Sequence, residues 1–444
     1  MYKKTALILL LLSGTFVFAG VLDDFTQDSF DPHPRLFIDQ AGIDRVKLRI
    51  DSGEEPYASQ YQTLLIYANS AMNQTPDPST SSDRNIWGDI CSEQSRMARD
   101  LALAYKFTGN TAYADKALQF LNIWSQTYPM PGTNFDPNID EPSHALAIAV
   151  SLPQFMWVYD LLYDYSGYDF LDRMYAENWF VNMANVAKVS GVELWEENNY
   201  YNNQLYQNHS MAHIAVTAVA GFVLGDYDLV AYSIDSQDNP RDFLEMIAGA
   251  ILMEGDTPHG AQLPAPEDGE FYDRYRHVED KGLSYAVFSM SFMTMIAQAA
   301  YTNGIDLWNY YAPTGENMQI AFEYHSDYLR LKDSCIKSGF YCSEGETARL
   351  EGLSETYYSG IYEIALSHYP QSSPLNLLIS NNDRKINRTP WIGYPVLLFG
   401  VEPELRADID GSKFVDIYDL YLLSKGWGKC TDPLVSGCYN ANAD

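Results

Sequence analysis

The chain has 444 residues, of which 46% are hydrophobic and 14% aromatic, enough apolar material to bury a large core and to exclude a disordered, fibrous or disulfide-stapled mini-protein. Aspartate and glutamate number 59 against 28 lysines and arginines, a formal charge of -31, which excludes non-specific binding to nucleic acid or to an anionic membrane surface. Any anionic ligand must therefore meet a local basic site.

Lys3 and Lys4 precede an apolar run from Ala6 to Phe18 that ends in Ala19 and Gly20, the charge, apolar stretch and small residues of a secretory signal peptide. Residues 1–20 are expected to be removed, leaving a mature chain that starts near Val21 and is secreted, periplasmic or held at the cell surface. The run is shorter than the roughly 20 residues that span a bilayer, and no later segment reads as a span. Export permits disulfides, so Cys335 with Cys342 and Cys430 with Cys438 are the natural local pairs, with Cys91 left over and buried.

Between the ends, apolar residues at three- and four-residue spacing predict helices at 94–107, 112–124, 144–163, 171–189, 210–224, 241–253, 283–301, 318–331 and 355–368. No comparable series of alternating apolar and polar residues appears, which argues against an α/β sheet protein. Short joints such as Thr108-Gly109-Asn110-Thr111 pair the helices into αα-hairpins. The expected fold is all-α, an (α/α) toroid or incomplete barrel over residues 21–400. No fixed-length repeat indicates a solenoid.

Four segments carry a more specific signal: His33-Pro-Arg-Leu-Phe-Ile38, the hairpin from Arg99 to Ala117, Asn202-Asn203-Gln-Leu-Tyr-Gln-Asn208-His209-Ser, and Asp280-Lys281-Gly-Leu-Ser-Tyr285-Ala-Val-Phe. Together they resemble the alginate-lyase family of polysaccharide lyases. The first two bear on fold. The resemblance of the other two implies an Asn208-His209 pair at the catalytic centre and Tyr285 as the catalytic tyrosine. The family's arginine shortly before that tyrosine has no direct counterpart, and Arg276, His277 and Lys281 stand in its region as candidate uronate-binding cations.

Such a lyase cleaves a polyuronate by β-elimination, removing the C5 proton next to the carboxylate and expelling the C4 oxygen. The proton becomes acidic once donors and a cation neutralise the carboxylate, the role open to Asn208 with Arg276, His277 or Lys281. His209 and Tyr285 suit the base and acid. A tyrosine with an ordinary pKa of about 10 needs nearby positive charge or hydrogen bonds to serve as a base. Where the C5 proton and C4 oxygen share one side of the ring, as in mannuronate and glucuronate, one tyrosine can perform both transfers. Where they lie on opposite sides, as in guluronate, histidine takes the proton. Mannuronate-rich alginate and glucuronan differ at C2, which these motifs do not read, so both stay open as the anionic polysaccharide.

His209 and His213 lie one helical turn apart, but no HExxH pattern or third ligand accompanies them, so no catalytic cofactor is expected. Asn203, His144 and Trp87 are candidate substrate contacts, Trp87 as a sugar-stacking platform in an Asn-Ile-Trp-Gly loop. The Arg274-Tyr-Arg276-His277 cluster is the densest positive patch near a motif. Ser233 to Pro266 reads as a lid or wall of the cleft. Two other functions fit the same sequence: a toroid glycoside hydrolase using carboxylates such as Glu267, Asp268 or Glu270, and a non-catalytic carbohydrate-binding scaffold component.

At the C-terminus, Asp408, Asp410, Ser412, Asp416 and Asp419 place side-chain oxygens at positions 1, 3, 5, 9 and 12 of a loop, with the Phe414 carbonyl at position 7, the ligand spacing of a calcium loop. Leu420, Leu422, Leu423 and Trp427 follow as an amphipathic helix. Lys413 replaces the usual glycine, and a single loop is clear. Residues 401–444 resemble a dockerin-type calcium module, which implies bound Ca2+ and a cohesin-like or cell-surface protein as partner.

Overall fold

A computed structural model describes residues 20–127, 143–193, 206–258, 265–276, 281–337, 342, 344–345, 347, 350, 360–382, 384–385 and 388–404. The signal-peptide segment, the calcium loop, the Cys430–Cys438 pair, Asn203 and His277 lie outside the described residues.

In chain order the helices are α1 (Gln40–Ser52), α2 (Tyr57–Met72), α3 (Arg84–Thr108), α4 (Thr111–Thr127), α5 (Ser143–Leu162), α6 (Phe170–Val186), α7 (Asn208–Leu224), α8 (Tyr227–Ile234) and α9 (Phe243–Ala250). Strands β1 (Ile251–Leu252) and β2 (Glu270–Phe271) pair antiparallel and lead into α10 (Asp273–Arg276), α11 (Gly282–Thr302), α12 (Met318–Leu331), α13 (Gly360–His368), α14 (Ser373–Ser380) and α15 (Pro395–Phe399). Acidic or amide side chains start many of them: Asp39, Asp83, Asp169, Asp226, Asp242 and Asn317 each accept a backbone N–H of the first turn. These caps satisfy donors that have no partner within the helix.

The predicted helices recur, with three departures. Helix α3 begins ten residues before the expected Gln94 because Asp83 accepts from the N–H groups of Asn85 and Ile86. Helix α9 stops at Ala250, where Ile251 turns to extended backbone and the chain enters the hairpin. Helix α6 gives way at Val186 to a π-helical turn over Ala187–Glu193.

Helix α3 packs on α4 and α5, α5 on α7, α7 on α11, and α11 on α13, with α2, α4, α6 and α8 on the flanks. This is the (α/α) toroid. The inner helices are apolar nearly all round, as burial on every side requires. Length and composition alone would let 144–162 and 282–302 cross a membrane, contrary to the sequence expectation, but 83% and 89% of their most apolar stretches are buried in the ring.

Helices α5, α7 and α11 run parallel, and the segment around Arg35 ties their C-terminal ends together. The Asp160 carboxylate near the end of α5 accepts the backbone N–H groups of Arg35 and Leu36 and the His33 Nδ1–H at 2.6 Å. Arg35 donates to the Val223 carbonyl of α7 at 3.1 Å, and its own carbonyl accepts from Asn303 just past α11. Gln298 of α11 donates to the Phe37 carbonyl. The Cys335–Cys342 disulfide forms as expected, and Cys91 is free and buried in α3.

Asp160 is fully buried, so Asp160→Ala orphans several donors at once. Each buried donor left without its acceptor costs about 1–3 kcal/mol. The expected outcome is a loss of at least about 3 kcal/mol, read from the denaturant midpoint; an unchanged midpoint would remove the strap from the stability argument.

Candidate active site

The N-terminal ends of the same parallel helices meet at the opposite end of the ring. His213, in the second turn of α7, donates from Nδ1 to the Gly191 carbonyl at 2.8 Å. A Cβ on Gly191 would lie 2.6 Å from the His213 ring and 2.9 Å from the Cβ of Ala145 in the first turn of α5. The π-helical turn therefore wedges between the starts of α5 and α7, an approach only glycine allows. His213 is fully buried, and burial lowers its pKa to about 4, so it is neutral at physiological pH. It meets His209 edge-on, ring centroids 6.3 Å apart.

Asn208 and His209 open α7, Asn208 buried and His209 half-buried. Tyr285, also half-buried, sits in the first turn of α11 and donates its N–H to the Lys281 carbonyl. The two helix starts are joined through Asp273, the first residue of α10. Its buried carboxylate accepts the Asn208 N–H at 3.2 Å and the Ser289 hydroxyl at 2.7 Å. Ser289 lies four residues beyond Tyr285, on the same helix face. The arrangement brings the Asn-His pair and the tyrosine to one end of the ring, beside N–H groups that favour an anion.

The hairpin holds Asp273 in place. Gly269 has φ +92, and a Cβ there would lie 2.5 Å from the Ile320 carbonyl, so the chain can turn against α12 only with glycine. Glu270 forms a buried ion pair with Arg274 and accepts the Tyr324 hydroxyl at 2.8 Å. Burial raises the Glu270 pKa, an effect that Arg274 opposes. Lys337, beside the disulfide at Cys335, lies over the Tyr324 ring and donates to the Tyr324 carbonyl at 2.7 Å.

The remaining candidates divide. Lys281 precedes α11 and is half-buried; Arg276 closes α10. Arg274, the first member of the basic cluster, is wholly buried against Glu270 and Tyr275. His144 is buried in the first turn of α5. Trp87 is a correction: it lies in helix α3 with no exposed surface, edge-on to Trp124, and has no face to offer a sugar. Of the carboxylates considered for hydrolysis, Glu270 is committed to Arg274 and Tyr324, and Asp268 accepts the Glu254 N–H across the hairpin. Of Ser233 to Pro266, the described part contributes α9 and β1, which pairs with β2 just before Asp273.

Sequence reasoning missed two parts of this end. One is Asp273, a lone acid with no motif around it. The other is the segment 388–394, which crosses the interior: Arg388 pairs with Asp100 of α3 at 2.6 Å, the Pro390 carbonyl accepts from Arg99, and Trp391 packs on Phe288 and Phe292 of α11. Its non-periodic sequence gives no signal of these partners.

The geometry defines an α/α toroid with an asparagine-histidine pair and a tyrosine on adjacent helix starts. The profile of the alginate lyase family matches residues 55–334, and the chain belongs to that family. A curated relative, an exo-oligoalginate lyase of Saccharophagus degradans, is 25% identical over 266 residues, 56% of this chain and 32% of its own length; the chain thus spans about a third of that relative. Among solved structures, an alginate lyase from Bacteroides ovatus superposes with a TM-score of 0.58 at 17% identity, covering 83% of this chain and all of the other. Alginate lyase A1-III from Sphingomonas species A1 gives 0.58 at 17% identity, covering 84% and 98%. Tyrosine-to-phenylalanine and histidine-to-alanine variants of that enzyme have been solved with a tetrasaccharide.

Burial lowers the pKa of three histidines, His213 and His368 to about 4 and His325 to about 3. Unfolded histidine titrates near 6.5, so between about 6.5 and 4 the unfolded chain binds more protons and stability is lost as pH falls. Asp242, raised to about 6 by burial, acts in the opposite sense below pH 6. Because Asp172, Glu270 and Glu363 are also raised by burial, the test is comparative: His325→Gln is expected to lose less melting temperature between pH 7 and pH 4.5 than the unsubstituted protein. Equal slopes in the two proteins would contradict this assignment.

Proposed function

We propose that this protein is a secreted polysaccharide lyase that cleaves a polyuronate, mannuronate-rich alginate or glucuronan, by β-elimination. The observation that carries the reading is the junction at Asp273, whose carboxylate accepts from Asn208 at the start of α7 and from Ser289, one turn beyond Tyr285 in α11. Family membership supports it, as do the tetrasaccharide complexes of a relative altered at a histidine and at a tyrosine.

In this reading the uronate carboxylate rests against the start of α7. The Asn208 amide and a cation from Lys281 or Arg276 neutralise it, with His277 and Asn203 as further contacts and His144 at the edge of the cleft. Charge moving onto the carboxylate as the C5 proton leaves is stabilised by donors already in place, which need not reorganise. Where the C5 proton lies on the same side as the leaving oxygen, Tyr285 takes that proton and passes it to the C4 oxygen as the C4–O bond breaks and a C4–C5 double bond forms; where it lies opposite, His209 takes the C5 proton and Tyr285 gives its own to the C4 oxygen. The buried neutral His213 beside His209 adds no charge that would disfavour a proton there.

The proposal extends to the chain ends. Residues 1–20 direct export, and the Asp408–Asp419 loop binds Ca2+ through Asp408, Asp410, Ser412, Phe414, Asp416 and Asp419. Residues 401–444 thereby dock the enzyme on a cohesin-like or cell-surface protein. The ligand spacing in the sequence supports this part.

The test incubates mature protein with polymannuronate, polyguluronate and glucuronan and follows the ultraviolet absorbance of the conjugated double bond. Absorbance is expected to rise on mannuronate or glucuronate polymers and to fall at least about 10²-fold in Tyr285→Phe and His209→Ala. New reducing ends without absorbance would make the protein a hydrolase, and binding without either signal would make it a scaffold component.

A further inference from the structure

Helix α7 lacks a cap of its own. Gln207, the residue before it, makes no side-chain cap, and glutamine is a poor capping type. The first N–H of the helix is instead taken by Asp273, 65 residues further along the chain. The same carboxylate takes the Ser289 hydroxyl of α11. Asn208, Asp273 and Ser289 are each at most 2% exposed, so water does not compete for these bonds. Asp273 itself is fixed from below, because it lies two residues past β2 and the adjacent Arg274 is locked by Glu270, which Tyr324 holds in turn.

We propose that Asp273 is a positioning residue that sets the separation between His209 and Tyr285 by clamping the starts of α7 and α11 to one carboxylate. This rests on the lyase reading above and adds to it the group that fixes the acid and base relative to each other. The geometric basis is the pair of bonds: one fixes the backbone at Asn208, immediately before His209, and the other fixes the helix face of Tyr285 one turn along. Proton transfer at C5 and C4 of one sugar ring requires both groups at hydrogen-bond distance together, and a displacement of about 1 Å can cost about 10²-fold in rate. Binding of the polymer is spread over many contacts and depends on this separation far less. Loss of the clamp therefore falls on kcat and spares KM.

The experiment compares Ser289→Ala, Asp273→Asn and Asp273→Ala with unsubstituted mature protein on the polymer that the latter cleaves. Ser289→Ala opens one arm without stranding a buried charge, and should lower kcat about ten-fold with KM within about two-fold. Asp273→Asn keeps both arms, its Oδ1 accepting from Asn208 and its Nδ2 donating to the Ser289 oxygen, and should stay within a few-fold of the unsubstituted kcat. Asp273→Ala, if it folds, should be the slowest of the set. Unchanged kcat in Ser289→Ala, or a loss in Asp273→Asn as deep as in Ser289→Ala, overturns the proposal and leaves the carboxylate as a brace of the fold. No elimination by the unsubstituted protein on any uronate polymer overturns the lyase reading instead, a result told apart by the control alone.

Discussion

Parallel helices buried at the centre of a ring leave unpaired N–H groups at one end and unpaired carbonyls at the other, and in a buried setting each must find a partner outside its own helix. This constraint shapes the molecule. Helices α5, α7 and α11 are all of this kind. At the carbonyl end, Arg35 and Asn303 serve α7 and α11, while Asp160 of α5 returns the favour by holding the strap. At the N–H end, Asp273 serves α7 and reaches Ser289 in α11, while the Gly191 carbonyl receives His213. The two ends are solved by different chemistry because they present opposite charge.

The difference also sets the charge presented at each end. At the carbonyl end a cavity of about 480 Å³ opens beside His33, Arg35, Tyr159 and Glu177, with Arg35 donating to the Val223 carbonyl and Asp160 holding the strap. The N–H end presents the positive ends of the helix dipoles, with the Asp273 carboxylate set against the start of α7. Wholly buried Arg274, paired with Glu270, adds rigidity there more than exposed charge.

Much of the fold was legible in the sequence because helical periodicity is local. Runs such as 318–331 were bounded to the residue, since Asn317 caps one end and the apolar spacing continues to the other. Trp87 was misread because Asn85 and Gly88 look like a loop; in the structure Gly88 allows α3 to approach Ala147 of α5, a reason that no local pattern reveals. The strands were too short, two residues each, to register as an alternation. Asn208, His209 and Tyr285 came from resemblance, and the spacing of 76 positions between the last two says nothing of their nearness. Asp273 and Trp391 carry no signal at all until the chain is folded, since their partners are supplied by distant helices.

The strap around Arg35 has a consequence for how this chain comes into being. Its partners at Asp160, Val223, Gln298 and Asn303 lie up to 268 residues further along the chain. Closing so long a loop is slow, and chains dominated by such separations fold slowly and risk aggregation on the way. The strap is therefore a clasp of long sequence separation, whose bonds to α5, α7 and α11 can form only when all three helices are present.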